Sequence, residues 1–74
     1  MPVEEPHRVI CHLDRVLEER GLTLAALAEA VGVSVVNLSI LKNNRAKAVR
    51  FSTLTAICDV LDCGIGELFS VAEA

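Results

Sequence analysis

The stretch that decides the fold is LTLAALAEAVGVSVVNLSILKN, residues 22–43. Apolar residues recur in it at the three- and four-residue spacing of amphipathic helices, on both sides of Gly32. Ala28 stands four positions before that glycine, and Leu38 and Leu41 follow it. Because a small residue and a hinge glycine let two helix axes approach closely, the segment predicts a helix-turn-helix.

Helical periodicity continues on the N-terminal side of this segment. A first helix is expected from Pro6 to Arg20, because proline suits the first helical position and apolar residues recur after it. Thr23 and Ser34 are residue types that cap helix N-termini. The second helix is therefore predicted to end near Val31, and the third to span Val35 to Asn43. The inner stripe predicted for the first helix is Val9, Ile10, Leu13, Val16 and Leu17.

The C-terminal third of the chain predicts two more helices. Phe51 is expected to precede a fourth helix that Ser52 caps and Gly64 ends. A last short turn carries Ile65, Leu68 and Phe69, as core or as a dimer surface, and the chain is expected to fray from Ser70. No alternation typical of strands is found. The sequence thus predicts an all-α, five-helix single domain over 1–74, with the motif at about 23–43 and short flexible ends at 1–5 and 70–74.

Length and composition exclude several classes of protein. A chain of 74 residues has room for one core, and it offers neither a nucleophile paired with a base nor a glycine-rich phosphate loop, so an enzyme is not expected. Three cysteines cannot form a closed disulfide framework, and we expect Cys11, Cys58 and Cys63 to be buried reduced thiols. His7 and His12 lack the partners of a zinc site, so no metal or cofactor is predicted.

The N-terminal sequence and the hydropathy of the chain indicate where in the cell the protein is expected. No apolar run approaches the roughly 18 residues of a membrane span, and MPVEEPHRVI lacks the layout of a signal peptide. We therefore expect a soluble, cytoplasmic protein.

Charge is distributed unevenly along the chain. The net charge is −3, yet residues 42–50 contain four cations and no acid: Lys42, Arg45, Lys47 and Arg50. The rest of the chain carries three arginines against ten acidic residues. Because screening limits electrostatic attraction to about 10 Å, a phosphate near this segment would meet a positive patch on an acidic body.

The spacing of the motif resembles a known family. Its apolar, small and turn positions are Leu27, Ala28, Val31, Gly32, Val33, Leu38 and Leu41. With one helix before the motif and two after it, residues 8–69 resemble the Cro and phage-repressor (Xre-like) family of helix-turn-helix proteins. The resemblance implies a lambda-repressor-like domain, with Leu24 to Val31 as scaffold helix and Val35 to Asn43 as recognition helix. It also implies a sequence-specific transcriptional regulator of duplex DNA, commonly dimeric.

The outward residues of the third helix are then the candidates for base readout. Placing Leu38 and Leu41 inward at 100° per residue turns Val36, Ser39, Ile40 and Asn43 outward, with Val35 and Asn37 on the flanks, and these six residues are the candidates. Asparagine suits the N6 and N7 atoms of adenine, and apolar side chains suit the thymine methyl group, so an A·T-rich site is predicted.

Phosphate contacts are expected from the basic segment, namely Lys42, Arg45, Lys47 and Arg50, and from the start of the second helix at Thr23. Many family members carry a glutamine where this chain has Leu24, so that side-chain phosphate contact is absent here.

The apolar side chains on the third helix leave a second interpretation open. Val36 and Ile40 either contact thymine methyl groups or are covered by another protein. The rival hypothesis is a protein-interaction module, such as an antitoxin-like or adaptor domain, that docks a partner through this face. For a DNA-binding regulator, one copy offers few base contacts, so a homodimer reading an inverted repeat is predicted.

Overall fold

The computed structural model describes residues 7–73. Within that range the chain forms five helices and a two-stranded antiparallel sheet. The elements in chain order are β1 (Val9–Cys11), α1 (Leu13–Arg20), α2 (Leu24–Val31), α3 (Val35–Lys42), α4 (Phe51–Leu61), α5 (Ile65–Leu68) and β2 (Phe69–Val71).

The helix-turn-helix has the predicted caps and turn. The Thr23 hydroxyl accepts a hydrogen bond from the Ala26 amide, and the Ser34 hydroxyl accepts one from the Asn37 amide, both at 3.0 Å. Gly32 adopts the left-handed conformation with φ 83°, which glycine tolerates without steric cost. The α2 and α3 axes are consequently bent by 117° relative to each other.

The core is built mainly from leucine, with single valine, alanine and isoleucine residues. In the described range, no polar or charged side chain is buried in it. The core cluster comprises Leu13, Val16, Leu17, Leu27, Ala28, Leu38, Leu41, Ile57, Leu61 and Leu68. Of the last helical turn, Leu68 therefore belongs to the core, whereas Ile65 remains 57% exposed.

The N-terminal prediction was partly wrong. Residues 9–11 form β1 instead of the first turns of a helix, and α1 begins at Leu13. The predicted start at Pro6 lies outside the described residues. β1 pairs with β2 in the register Val9↔Val71, Ile10↔Ser70 and Cys11↔Phe69, so Ser70 and Val71 are paired and not frayed. The fold is consequently only approximately all-α.

The ends of α4 also differ from prediction. Arg50 occupies the N-cap position and Ser52 lies in the first turn, so the predicted Ser52 cap was wrong. The helix ends at Asp62, which adopts φ 51°, before Gly64 is reached. The Arg20 guanidinium donates to the carbonyl oxygens of Leu61 at 2.8 Å and Asp62 at 3.2 Å. This contact satisfies carbonyls that a helix terminus leaves without internal partners.

No single helix in residues 7–73 is long and apolar enough to cross a membrane. Taken together, α2 and α3 have the length and composition of a membrane-spanning segment, but the two helices are bent by 117°.

Candidate nucleic-acid interface

The outward face of α3 lies on the protein surface. Val36 is 68% exposed, Val35 45% and Ile40 37%, while Leu38 faces the core at 2%. Of the six predicted base-reading residues, five are exposed and Ser39 is half-buried. The structure therefore places these side chains where a ligand can reach them.

The side-chain amide of Asn43 is hydrogen-bonded within the protein. It is the C-cap residue of α3, and its Nδ2 donates to the Ser39 carbonyl at 2.9 Å and to the Ser39 hydroxyl at 3.2 Å. Because a carbonyl oxygen can only accept, this contact fixes which side of the amide faces Ser39. The amide group thus has its donors occupied, and the predicted bidentate pairing with adenine would require these two bonds to break.

An open groove joins the two sets of candidate residues. It runs between the C-terminal half of α3, the following loop and the start of α4. Asn37 and Ile40 lie on one side, and the basic residues Arg45, Lys47 and Arg50 also line it. Two base-reading candidates and three cationic candidates therefore line one groove.

The cations of residues 42–50 are not equivalent. The Lys42 ammonium lies 3.2 Å from the Asp14 carboxylate on α1, and its side chain is only 23% exposed. Within residues 7–73, the guanidinium groups of Arg45 and Arg50 form no hydrogen bond or ion pair. Lys42 is therefore directed toward α1, while both arginines keep their donors available.

The N-terminus of α2 is partly satisfied by its own cap. The exposed Thr23 hydroxyl already accepts from the Ala26 amide, so that amide is not available to an anion. Thr23 does not line the groove beside α3. It lies at a separate point of the surface, where the first amides of α2 begin.

Sequence reasoning missed Asn44, which sets the path of the basic loop. This residue adopts φ 63°, a conformation that asparagine tolerates better than most residues. Its Oδ1 accepts a hydrogen bond from the Cys11 amide at 2.6 Å, and the next amide, of Arg45, donates to the Ile40 carbonyl at 3.0 Å. Two consecutive asparagines at the end of a helix are the signal for such a turn.

The thiols are reduced and only half-buried. Burial raises the pKa of Cys11, and the Asp14 carboxylate raises it further. Burial also raises the pKa of Cys63, with smaller contributions in the same direction from Cys58 and Glu67. These groups lie outside the groove beside α3.

Comparison with known proteins agrees with this geometry. Residues 12–73 match the family of Cro/C1-type HTH DNA-binding domains. A Bacillus subtilis (strain 168) protein described as the uncharacterized HTH-type transcriptional regulator YozG is 47% identical over 60 residues, which span 81% of this chain and 71% of that protein. The crystal structure of the transcriptional regulator VanUg (Form II) aligns with a TM-score of 0.75 and 29% identity over all of this chain and 99% of that one.

The predicted resemblance and the expectation that the chain is not an enzyme are thereby confirmed, since the matched family is a DNA-binding domain and both of these proteins are described as transcriptional regulators. With its family match covering most of the chain, this protein belongs to the Cro/C1-type helix-turn-helix DNA-binding domain family.

Proposed function

We propose that the protein is a sequence-specific transcriptional regulator that inserts α3 into the major groove of duplex DNA. The observation that carries the proposal is the exposed α3 face, which continues through one groove into the acid-free basic segment of residues 42–50. The descriptions of YozG and VanUg as transcriptional regulators support this function. Regulation of a bacterial or phage promoter would take place in the cytoplasm.

We assign base contacts to the outward α3 residues. The apolar side chains Val35, Val36 and Ile40 are suited to thymine methyl groups. Asn37 and Ser39 have hydrogen-bonding groups on the same helix, and Asn43 reaches a base as an acceptor while its amide stays bonded to Ser39. Because adenine N6 is a donor in the major groove, an A·T-rich site remains the expected target.

We assign phosphate contacts chiefly to Arg45, Lys47 and Arg50, which line the groove. Thr23 and the first amides of α2 would hold a second phosphate. Lys42 contributes less, because a phosphate must compete with Asp14 for its ammonium group. Such contacts release counterions, so the affinity must fall as salt rises.

We propose that two copies bind together. One copy presents few base contacts, whereas a dimer reads two half-sites about 34–36 Å apart. Ile65 is 57% exposed and Phe51 84% exposed, and both line one apolar groove on the α4 and α5 side. We place the dimer contact there, with half-buried Phe69 nearby in sequence and Leu68 excluded because it belongs to the core.

Selection of bound sequences from a random duplex pool tests the proposal. An enriched inverted repeat with the expected spacing supports it, and the absence of any enrichment overturns it in favour of a partner protein on the Val35, Val36 and Ile40 face. Family membership does not favour that alternative.

Salt titration on the selected duplex tests the phosphate contacts. Arg45→Ala and Arg50→Ala should each weaken binding to all sequences and lower the slope of log K against log salt by about one. Arg15→Ala is the matched control, because this arginine lies on α1 and donates weakly to Glu67 at 3.3 Å. An unchanged slope in the Arg45 and Arg50 variants would remove those contacts from the proposal.

A further inference from the structure

Two cysteines close the same turn at the end of α4. The Cys63 amide donates to the Cys58 carbonyl at 3.1 Å, and the Asp62 amide donates to the Asp59 carbonyl at 3.4 Å. Asp62 between them is left-handed, with φ 51°. These two bonds define a Schellman motif, which is frequently accompanied by a contact between the side chains of its first and last residues. The first and last residues here are Cys58 and Cys63.

Further features place these thiols together. Both are reduced, half-buried and packed against the hydrophobic core. Cys58 is among the groups that raise the pKa of Cys63, whereas neither of these thiols is among the groups that shift the pKa of Cys11. A side-chain hydrogen bond with Cys58 also raises the pKa of Cys63, so the two thiols lie within hydrogen-bonding distance of each other. Cys11 lies apart from this turn, in β1.

Two side chains outside the turn stabilise it by hydrogen bonds. Arg20 donates to the carbonyls of Leu61 and Asp62, and the Glu67 carboxylate accepts from the Gly64 amide at 2.8 Å. A bond between the two sulfurs would therefore link two positions of one turn that these contacts already hold. Because no group of three or more metal-ligating side chains exists in residues 7–73, the pair is better suited to a disulfide than to a closed metal site.

We propose that Cys58 and Cys63 form a redox-active pair, which hydrogen peroxide converts to an intramolecular disulfide. One thiolate attacks the peroxide, the O–O bond breaks, and a sulfenic acid and one water are formed. The second thiol then attacks the sulfenic sulfur, the S–S bond forms and a second water leaves. The two thiols lose two electrons and two protons in total, and the peroxide is reduced.

The product links α4 to the turn that precedes α5. Cys58 lines the same apolar groove as Phe51 and Ile65, so the modified residue sits on the surface of that groove. The proposal concerns this chemistry alone and does not depend on DNA binding.

Mass spectrometry of the full chain tests the pair. The reduced protein is treated with hydrogen peroxide, denatured and alkylated. We expect the product to lack two hydrogen atoms and to carry one alkyl group instead of three, and a thiol reductant should restore all three. Trypsin then separates the candidates, because residues 51–74 contain both Cys58 and Cys63 and no lysine or arginine, whereas Cys11 falls in residues 9–15.

Three serine variants complete the experiment. Cys58→Ser and Cys63→Ser should abolish the intramolecular disulfide, and Cys11→Ser should retain it. The tryptic digest of the oxidised chain without substitutions gives an independent answer if a variant fails to fold. The proposal is overturned if the oxidised protein still takes up three alkyl groups, if Cys11 is found in the disulfide, or if a single cysteine proceeds to sulfinic acid while the other stays reduced.

Discussion

The helix-turn-helix and the terminal sheet satisfy their backbone groups over very different sequence separations. In α2 and α3 the caps at Thr23 and Ser34 act three residues away, and the Gly32 amide donates to Ala28. Next to the sheet, by contrast, the Ala72 amide donates to the Arg8 carbonyl, 64 residues away. Local contacts form at small entropic cost, whereas pairing the chain ends requires a long loop to close first. Formation of the sheet therefore depends on the core, whereas the sequence signals that form the helix-turn-helix lie within the motif itself.

One residue connects the two regions. Asn44 follows the C-cap residue of α3, and its side chain accepts a hydrogen bond from the Cys11 amide in β1. The path of the basic loop thus depends on both the end of the motif and the first strand. Substitutions in each region, and at this junction, test how far the two are independent.

The largest effect is expected from the core of the motif. Leu27 is completely buried on α2, so Leu27→Ala leaves a cavity and should lower the free energy of unfolding by about 2–5 kcal/mol. Urea denaturation followed by circular dichroism measures the change. Val36→Ala is the control in the neighbouring helix, because Val36 is 68% exposed, and it should change stability by less than about 0.5 kcal/mol. Equal losses in the two variants would contradict the assigned core.

A smaller effect is expected at the junction. Asn44→Ala removes the acceptor for the Cys11 amide and places alanine at φ 63°, so we expect a loss of about 1–3 kcal/mol. Asn44→Gly removes the same acceptor without backbone strain, and Asn44→Asp retains an acceptor. The glycine variant should therefore be intermediate and the aspartate variant the mildest. If alanine and glycine are equally destabilising in denaturant, backbone strain contributes nothing here.

The helix caps should each contribute about 1 kcal/mol. Ser34→Ala removes the hydroxyl that accepts from the Asn37 amide, so α3 loses one bonded donor. Ser52→Ala is the matched control, because Ser52 lies in the first turn of α4 and Arg50 occupies the cap position. Thermal unfolding of the two variants compares them directly. A larger loss for Ser52→Ala would restore the cap that the sequence predicts there.

The same contrast explains what could be predicted. The Thr23 and Ser34 caps, the Gly32 turn and the buried Leu27, Leu38 and Leu41 follow from signals within a few residues, so α2 and α3 were predicted with nearly correct bounds. Val9, Ile10 and Cys11 fit a helical stripe equally well, and only the distant strand at residues 69–71 makes them extended. Their pairing has no local signature.

The candidate site shows the same limit at the level of side chains. The periodicity of α3 predicted which residues face outward, and exposure of Val35, Val36 and Ile40 confirms that orientation. It could not show that Asn43 bonds to Ser39, or that Lys42 turns back to Asp14, because both depend on side-chain conformation in the folded protein. Contacts of these residues with DNA remain predictions.

The smallest expected effect is a pH dependence of stability that originates outside the helix-turn-helix. The motif contains no cysteine, whereas Cys11 in β1 and Cys63 after α4 both have a raised thiol pKa, chiefly because burial disfavours the thiolate. Because the pKa is raised in the folded state, the thiols of the unfolded chain release their protons more easily than the thiols of the native protein do. Stability from these thiols is therefore present below their ordinary pKa of 9.0 and is lost as the pH rises through the folded values. Under reducing conditions, the free energy of unfolding should fall as the pH rises above about 9, and the Cys11→Ser/Cys63→Ser double variant should show a shallower fall. An identical slope in the two proteins would mean that the thiols are as well solvated in the native state as in the unfolded chain.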